Sequence, residues 1–578
     1  MEIRKGIAVS PGIAIAKPML IDSKDYRIPR RSILPSQRSS EIQRLRKAFV
    51  TAISELEEIG SAKDIKESKI KDIFAVHMRF LRDRSFRKRI KDFVSKELVT
   101  AEYAVSTILR EIASHFAGID DSYISERAAD IYDIEKRLLV HLLGKQQEEV
   151  EGLREEVVIL SSDLTPTQTA GFSKTFVRGF ATEKGGRTSH TAIVARSMGI
   201  PAVVALGDLS SEVPPECVVI IDGNRGVVVI DPDEDTLKQY DHYAQQMTQF
   251  VSQLDELREL PAETRDGVRI HLMGNIEFPG EAEIIMAKGG AGIGLYRTEF
   301  LYLYGGQEPT EEDHYNAYAE AIHAVDGKPV VIRTMDLGAD KLPHSGWHAK
   351  EANPVLGLRS IRYCLQALPL FKTQLRAILR ASVLGDVRVM FPLITTLQEL
   401  RQAKMILRDV MEDLDDSEIS YNADMPVGIM IETPSSALTA NLLASESCFF
   451  SVGTNDLIQY TLAVDRANEH VSTLFSAAEP AVLRLMRGVI QDAHKAKIGL
   501  SICGEVASDP EFIMPLLGMG ARTLSLAPPM IPEVKKIVRS VTIQECNQLS
   551  RKIATMDSHR QIQNFLRDAA TRILPETF

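Results

Sequence analysis

VRIHLMGNI (268–276), AGIGLYR (291–297), PVVIRTMD (329–336), VRVMFPLI (387–394), VGIMIET (427–433), CFFSVGTND (448–456), IGLSICGE (498–505) and ARTLSLAP (521–528) punctuate the second half of this chain. Each is a short apolar run rich in β-branched residues, and most end in a polar or charged side chain. Helix-period segments separate them. Eight strands alternating with helices over roughly 300 residues predict a (β/α)8 barrel, placed here at 262–578.

Working towards the N-terminus, Leu237, Tyr240, Tyr243, Met247, Phe250, Leu254, Leu257 and Leu260 fall in helical register. They predict a connector helix within 233–261 that Pro261 ends. Before it, EVVIL, TFVRGFAT, PAVVAL, CVVIID and GVVVID mark a small α/β domain at 147–232. The opening stretch GIAVSPGIAIAKPMLI (residues 1–22 as a domain segment) is expected to join it. Between these segments, 23–146 reads as an all-helical bundle. Ile42, Leu45, Phe49, Ile53, Leu56 and Ile59 form one stripe, and Ile73, Phe74, Phe80, Leu81, Ile90 and Phe93 continue the pattern. The fold expected is multidomain α/β, with a helical bundle inserted in the N-terminal α/β domain.

A chain of 578 residues is too long for one core. Its net charge of −11 argues against a nucleic-acid binder. No apolar run is long enough to span a bilayer, and the N-terminus reads as strand and turn rather than as a signal peptide. The five cysteines are scattered without a CxxC pair, which fits a reducing cytoplasm better than a disulfide framework or zinc site.

Barrel enzymes carry their chemistry at the C-terminal ends of the strands. Arg297 and Glu299, Arg333 and Asp336, Glu432, Asn455 and Asp456, then Cys503 and Glu505 fall at those ends. Arginines 297 and 333, with Arg466 as a third, suit the oxygens of phosphate and carboxylate. Glu432 and Asp456 offer hard ligands for Mg²⁺, and Asn455 can donate to a substrate oxygen. Cys503 is open to two readings, general acid or base and inert buried thiol. Elsewhere, GGRTSHTAIVAR (185–196) places His190 where a glycine turn enters a short helix, a setting that suits a phosphate. A structural histidine is the alternative there.

GGRTSHTAIVAR, GIGLYRTEFLYL, VVIRTMDLGADK, EANPVLGLRSIR, FPLI, GIMIETPSSA, FSVGTNDLIQYTLAVDR and CGEVASDPEF together resemble the Enzyme I family. These are the phosphoenolpyruvate–protein phosphotransferases of the sugar phosphotransferase system. The likeness runs in order along essentially the whole chain. It implies that His190 takes the phosphoryl group of phosphoenolpyruvate, with Thr169 as its hydroxyl neighbour. It also implies that Arg297, Arg333, Asn455 and Arg466 bind substrate, that Glu432 and Asp456 hold Mg²⁺, and that Cys503 protonates the enolate to pyruvate. The helical bundle is then the docking site of the small phosphocarrier protein HPr. The barrel is expected to form a homodimer, and the protein to swivel about the connector between its two partners.

The family's docking helices usually present an acidic face. Here Ser61–Thr100 holds twelve Lys/Arg against six Asp/Glu. Either this is a solvated basic face, or the cognate carrier has shifted its charge to match. SAAEPAVLRL (476–485), with Glu479 before Pro480, is a second departure. Pyruvate phosphate dikinase and phosphoenolpyruvate synthase share the histidine turn and barrel motifs, but they need a nucleotide-binding domain. The stretch 23–146 has no Gly-rich phosphate loop. The nitrogen-related branch of Enzyme I adds a sensory domain that is not expected before Met1. A non-catalytic regulator on the same fold would have no need of His190, the arginines, the carboxylates or Cys503.

Overall fold

The computed structural model describes residues 1–21, 28, 30–61, 78, 80–117, 122–143, 155–162, 176–186, 195, 200–207, 213–214, 217–304, 308–338, 353–466, 468 and 470–575. The chain divides into two compact units, Met1–Thr248 and Gln249–Phe578.

In the first unit, strands β1 (Glu2–Lys5), β2 (Ile7–Ser10) and β3 (Ile13–Ile21) are followed by helices Arg38–Ser61, Arg84–Glu97, Ala101–Ala117 and Ser122–Leu143. Then come β4 (Val157–Ser161), β5 (Val177–Thr182), β6 (Ala202–Val204), β7 (Val219–Asp222) and β8 (Val227–Ile230). The eight strands form one sheet in the order β1-β8-β7-β3-β4-β5-β6-β2. The N-terminal segment thus supplies both edges, β1 antiparallel to β8 and β2 antiparallel to β6. In the middle, β3 runs parallel to β4 and antiparallel to β7. The four helices are therefore the crossover between β3 and β4. Their own core gathers Leu45, Phe49, Leu56, Ile90, Leu109 and Leu138, with Phe49 edge-on to Phe86 at 6.0 Å between ring centroids. Ile73 and Phe74 lie outside the described residues.

The connector helix runs Glu234–Glu256 and stops short of Pro261. The backbone then tightens into three-residue turns, Leu257 N to Leu254 O and Arg258 N to Asp255 O. Pro261 has no N–H to offer the Leu257 carbonyl, and Lys535 Nζ caps this end instead, donating to the carbonyls of Leu257 and Arg258 at 3.3 and 2.9 Å and to Gly289 O at 3.1 Å.

In the second unit, β9 (His271–Ile276), β10 (Ile293–Arg297), β11 (Val330–Arg333), β12 (Val387–Phe391), β13 (Val427–Ile431), β14 (Phe449–Gly453), β15 (Gly499–Cys503) and β16 (Thr523–Leu526) close into a barrel. Every pairing is parallel, and β16 returns to β9. All eight apolar runs of the sequence are barrel strands. Leu295, Val331, Met390, Met430, Phe449 and Cys503 cluster as one of the cores, so the barrel is filled by side chains.

Candidate active site at the mouth of the barrel

The strand-end rule brings a charged cage together. Arg297 closes β10, Arg333 closes β11, Glu432 follows β13, and Cys503 closes β15. Asn455 and Asp456 begin the helix Thr454–Leu462 directly after β14. Arg333 is the hub. Its Nη2 donates to Glu299 Oε1 at 2.9 Å and its Nη1 meets Asp336 Oδ2 at 2.8 Å. The carboxylates of Asp336, Glu432 and Asp456 converge, with ligand oxygens all within 4.8 Å of one another.

Two residues that bind this cage together have no role assigned from the sequence. Arg359 Nη2 reaches Asp336 Oδ1 at 2.9 Å and Asp456 Oδ2 at 3.6 Å. Ser360 Oγ also donates to Asp336 Oδ1. They stand at the start of the short helix Ser360–Cys364 in the connection between β11 and β12, away from any strand end. Their signal was the LRS of EANPVLGLRSIR. Asp336, noted only as a strand-end charge, completes the acidic trio. FPLI also finds a physical role, since Leu393 N donates to Glu432 Oε1 at 2.5 Å. Leu393 and Ser360 both adopt left-handed backbone, at φ 51° and 53°. Non-glycine residues there are strained, and such strain collects where a site must be held in one geometry.

The electrostatics follow from burial and proximity. Burial raises the Glu432 carboxyl to about 8, and the charges of Asp336 and Asp456 add to it. Burial works the same way on Asp336, but Arg333, Arg359 and Ser360 outweigh it and hold that carboxyl below the usual range. Burial opposes the charge of Arg333, yet Glu299, Asp336, Glu432 and Asp456 keep it firmly protonated. Three crowded carboxylates, one of them driven towards its neutral form, fit a hard dication with oxygen preference. Such an ion must displace the Glu432 proton. Divalent-ion affinity of the full chain, measured by calorimetry, is therefore expected to climb with pH below about 8, by up to about tenfold per unit, and then level off. In the metal-free chain the same shift has the opposite sign for stability. The contribution is full below the ordinary carboxyl value of 4.5 and is lost as pH rises through about 8. A flat affinity between pH 6 and 9 would contradict this.

Cys503 is 1% exposed. Its thiol donates to Val452 O and accepts from Ser451 Oγ, both at 3.3 Å. Burial raises it to about 11, against the opposing effect of Ser451. At neutral pH it holds its proton. Gly504 follows at φ +91°, and a Cβ there would lie 2.3 Å from Thr454 Oγ1 and 3.0 Å from Asn455 Oδ1. Only glycine lets the chain pass from the thiol to Glu505 beside Asn455.

The remaining sequence candidates stand at the rim. Arg297 Nη1 donates to Glu277 Oε1 at 3.1 Å. Asn455 Oδ1 accepts from Glu505 N at 3.0 Å, and exposed Arg466 comes within 3.9 Å of Glu505 Oε1. His190 and Thr169 lie outside the described residues. Of the histidine turn, Gly185 is described, and it takes φ +117° as a glycine turn requires.

Family models of PEP-utilising enzymes cover most of the chain: the N-terminal domain at 5–127, the mobile domain at 153–226 and the PEP-binding domain at 251–543. The chain is 41% identical over 566 residues to a phosphoenolpyruvate-protein phosphotransferase of Priestia megaterium, covering 97% of this chain and 98% of that protein. It is 39% identical over 575 residues to the Bacillus subtilis protein of the same name, covering 98% of this chain and 100% of that one. A solved NMR structure of Enzyme I is 40% identical, covering 42% of this chain and 99% of its own, with a TM-score of 0.38. With a PEP-binding barrel, a mobile domain and full-length relatives of one activity, the chain belongs to the phosphoenolpyruvate-protein phosphotransferase family, Enzyme I.

Proposed function

We propose that the barrel binds phosphoenolpyruvate together with Mg²⁺, and that His190 receives the phosphoryl group and passes it to a histidine of HPr. The observation that carries this reading is the cage itself. Buried Arg333 and half-buried Arg359 face three converging carboxylates, beside a protonated thiol. A small substrate bearing phosphate and carboxylate, bound together with a dication, matches that charge pattern. Asp336, Glu432 and Asp456 are the residues that would hold the ion. When bound, Mg²⁺ supplies charge neutralisation at the substrate oxygens.

Arg297, Arg333 and Arg359 orient phosphate and carboxylate, assisted at the rim by Asn455 and Arg466. A ring nitrogen of His190 attacks phosphorus as the bond from phosphorus to the enol oxygen breaks. The electron pair stays on that oxygen, and the guanidinium groups stabilise the enolate. Cys503 then gives its thiol proton to the terminal carbon, releasing pyruvate, and recovers a proton from solvent. Thr169 is assigned to orient the histidine.

Incubation with phosphate-labelled phosphoenolpyruvate and Mg²⁺ tests the reading. Acid-labile, base-stable label on the chain is the expected result. Labelling that appears only with ATP would point instead to a dikinase, and no label under any condition to a regulator. Cys503→Ser is expected to slow pyruvate release by about 10²-fold in a coupled spectrophotometric assay. A parental rate would remove the thiol from the mechanism.

We assign HPr to the helical domain. The helix Arg84–Glu97 carries Arg84, Arg87, Lys88, Arg89, Lys91 and Lys96 against Asp92 and Glu97, which favours a carrier with a less basic docking face than is usual in the family. Residues 62–77 of the basic segment lie outside the described residues. Homodimerisation through the barrel is supported by exposed Met405, Leu438, Leu442 and Leu474. Among the described residues no helix is long and apolar enough to cross a membrane. We place the protein in the cytoplasm, at the first step of sugar uptake and its regulation.

A further inference from the structure

We propose that Gln374, on the outer helix Leu368–Ala381, is a positioning residue that sets the spacing of Arg297 and Arg333. The proposal rests on the substrate-binding role assigned to those arginines. Gln374 is fully buried, with 0% exposure, in a site that Leu or Met could fill by volume. Both N–H groups of its amide and its carbonyl oxygen have partners. Oε1 accepts from Met335 N at 3.0 Å, and Nε2 donates to Thr298 Oγ1 at 2.9 Å and to Tyr318 Oη at 3.1 Å. Thr298 Oγ1 in turn donates to Arg333 O at 3.0 Å.

These contacts fall where the sheet ladder runs out. β10 ends at Arg297 and β11 at Arg333. Past those points the backbone needs other partners to keep its course. Thr334 N still reaches Met390 O at 3.0 Å, but Arg333 O, Met335 N and Asp336 N are held by the side chains of Thr298, Gln374 and Glu299. One amide therefore fastens Thr298, the residue after Arg297, to Met335, two residues after Arg333, while the Thr298 hydroxyl holds the Arg333 carbonyl. His314 is buried, and burial lowers it to about 4, so its ring is neutral, and in the Nε2–H tautomer its Nδ1 accepts from Tyr318 Oη at 2.9 Å. Tyr318 Oη is then free to accept from Gln374. Networks satisfied at every member hold one geometry.

The test compares Gln374→Leu, Thr298→Val and Thr298→Ser in the full chain, with Arg333→Lys as the control for the site. Thermal melting, calorimetric binding of phosphoenolpyruvate with Mg²⁺, and kcat and KM for autophosphorylation are measured well below the melting range. Gln374→Leu is expected to weaken substrate binding and raise KM about tenfold or more, with kcat changed far less. Thr298→Val should raise KM about fivefold, and Thr298→Ser, which keeps the hydroxyl, should restore it to within twofold. Should Gln374→Leu fail to fold, the Thr298 pair decides. The proposal is overturned when the Gln374 and Thr298 variants melt lower yet keep KM and affinity within twofold while Arg333→Lys loses both, since Gln374 is then packing only. Parental KM in Arg333→Lys as well would overturn the arginine assignment, and this proposal with it.

Discussion

Replacing Arg333 with methionine is expected to destabilise the barrel by about 3–5 kcal/mol and to cut phosphoenolpyruvate-dependent phosphorylation by about 10²–10³-fold. Both effects have one origin. Arg333 is 8% exposed and stands between Glu299 and Asp336, whose side chains are 13% and 6% exposed. Methionine fills much of the space but leaves those carboxylates short of a counter-charge in a dry setting. Asp336 keeps Arg359; Glu299 has no other cation assigned in the cage. The catalytic loss follows from removing a fixed cation from the place where phosphate and enolate charge must be met. Arg333→Lys keeps the charge but loses the planar fork that spans Glu299 and Asp336 at once, so it should fall between the two. Scanning calorimetry of the full chain reads the first effect and single-turnover labelling the second. A variant with parental melting and parental labelling would show that the hub is dispensable.

His190→Ala is expected to remove phosphoryl label from the chain altogether, while leaving calorimetric binding of phosphoenolpyruvate with Mg²⁺ to the barrel within about twofold of the parent. The two halves of this result belong to different parts of the molecule. Among the described residues, the cage is built from side chains within 277–505. The proposed nucleophile, by contrast, has no substitute, because alanine offers no lone pair to phosphorus. Label persisting in His190→Ala would place the acceptor elsewhere. Loss of substrate binding in the same variant would mean that the histidine contributes to the barrel site in its resting form.

The barrel could be read from the chain because a parallel strand buried on both faces must be an apolar run, and each such run ends where chemistry is placed. That rule finds Arg297, Arg333, Glu432, Asp456 and Cys503 without reference to their contacts. It is blind to Arg359 and Ser360, which arrive from the start of a short helix, and to Gln374, which reaches the strand ends from the flank of an outer helix. Nothing in a helical period distinguishes a buried glutamine that joins two strands from one facing water. Asp336 was visible as a strand-end charge, but its place in the acidic trio depends on a convergence of three elements that no spacing encodes. The connector stops at Pro261 as a local signal says, but the tightening of its last turn after Glu256 and the Lys535 cap, 277 residues along the chain, leave no such signal.

The sheet of the first unit imposes an order on the birth of the molecule. Its outer strands leave the ribosome first, yet Glu2 pairs with Ile230 and Ile7 with Val204. At roughly 5–20 residues per second, the opening strands must wait on the order of 10–45 s for their partners. The helical excursion between β3 and β4 waits less long, since a long-range contact within it, Arg44 to the Leu142 carbonyl, spans 98 residues. A nascent chain therefore carries a finished helical module while its first apolar strands, Ile7–Ser10 and Ile13–Ile21, still lack an edge to join. That interval is when a chaperone has most to shield, and a truncation that removes β8 leaves the N-terminal strand unpaired for good.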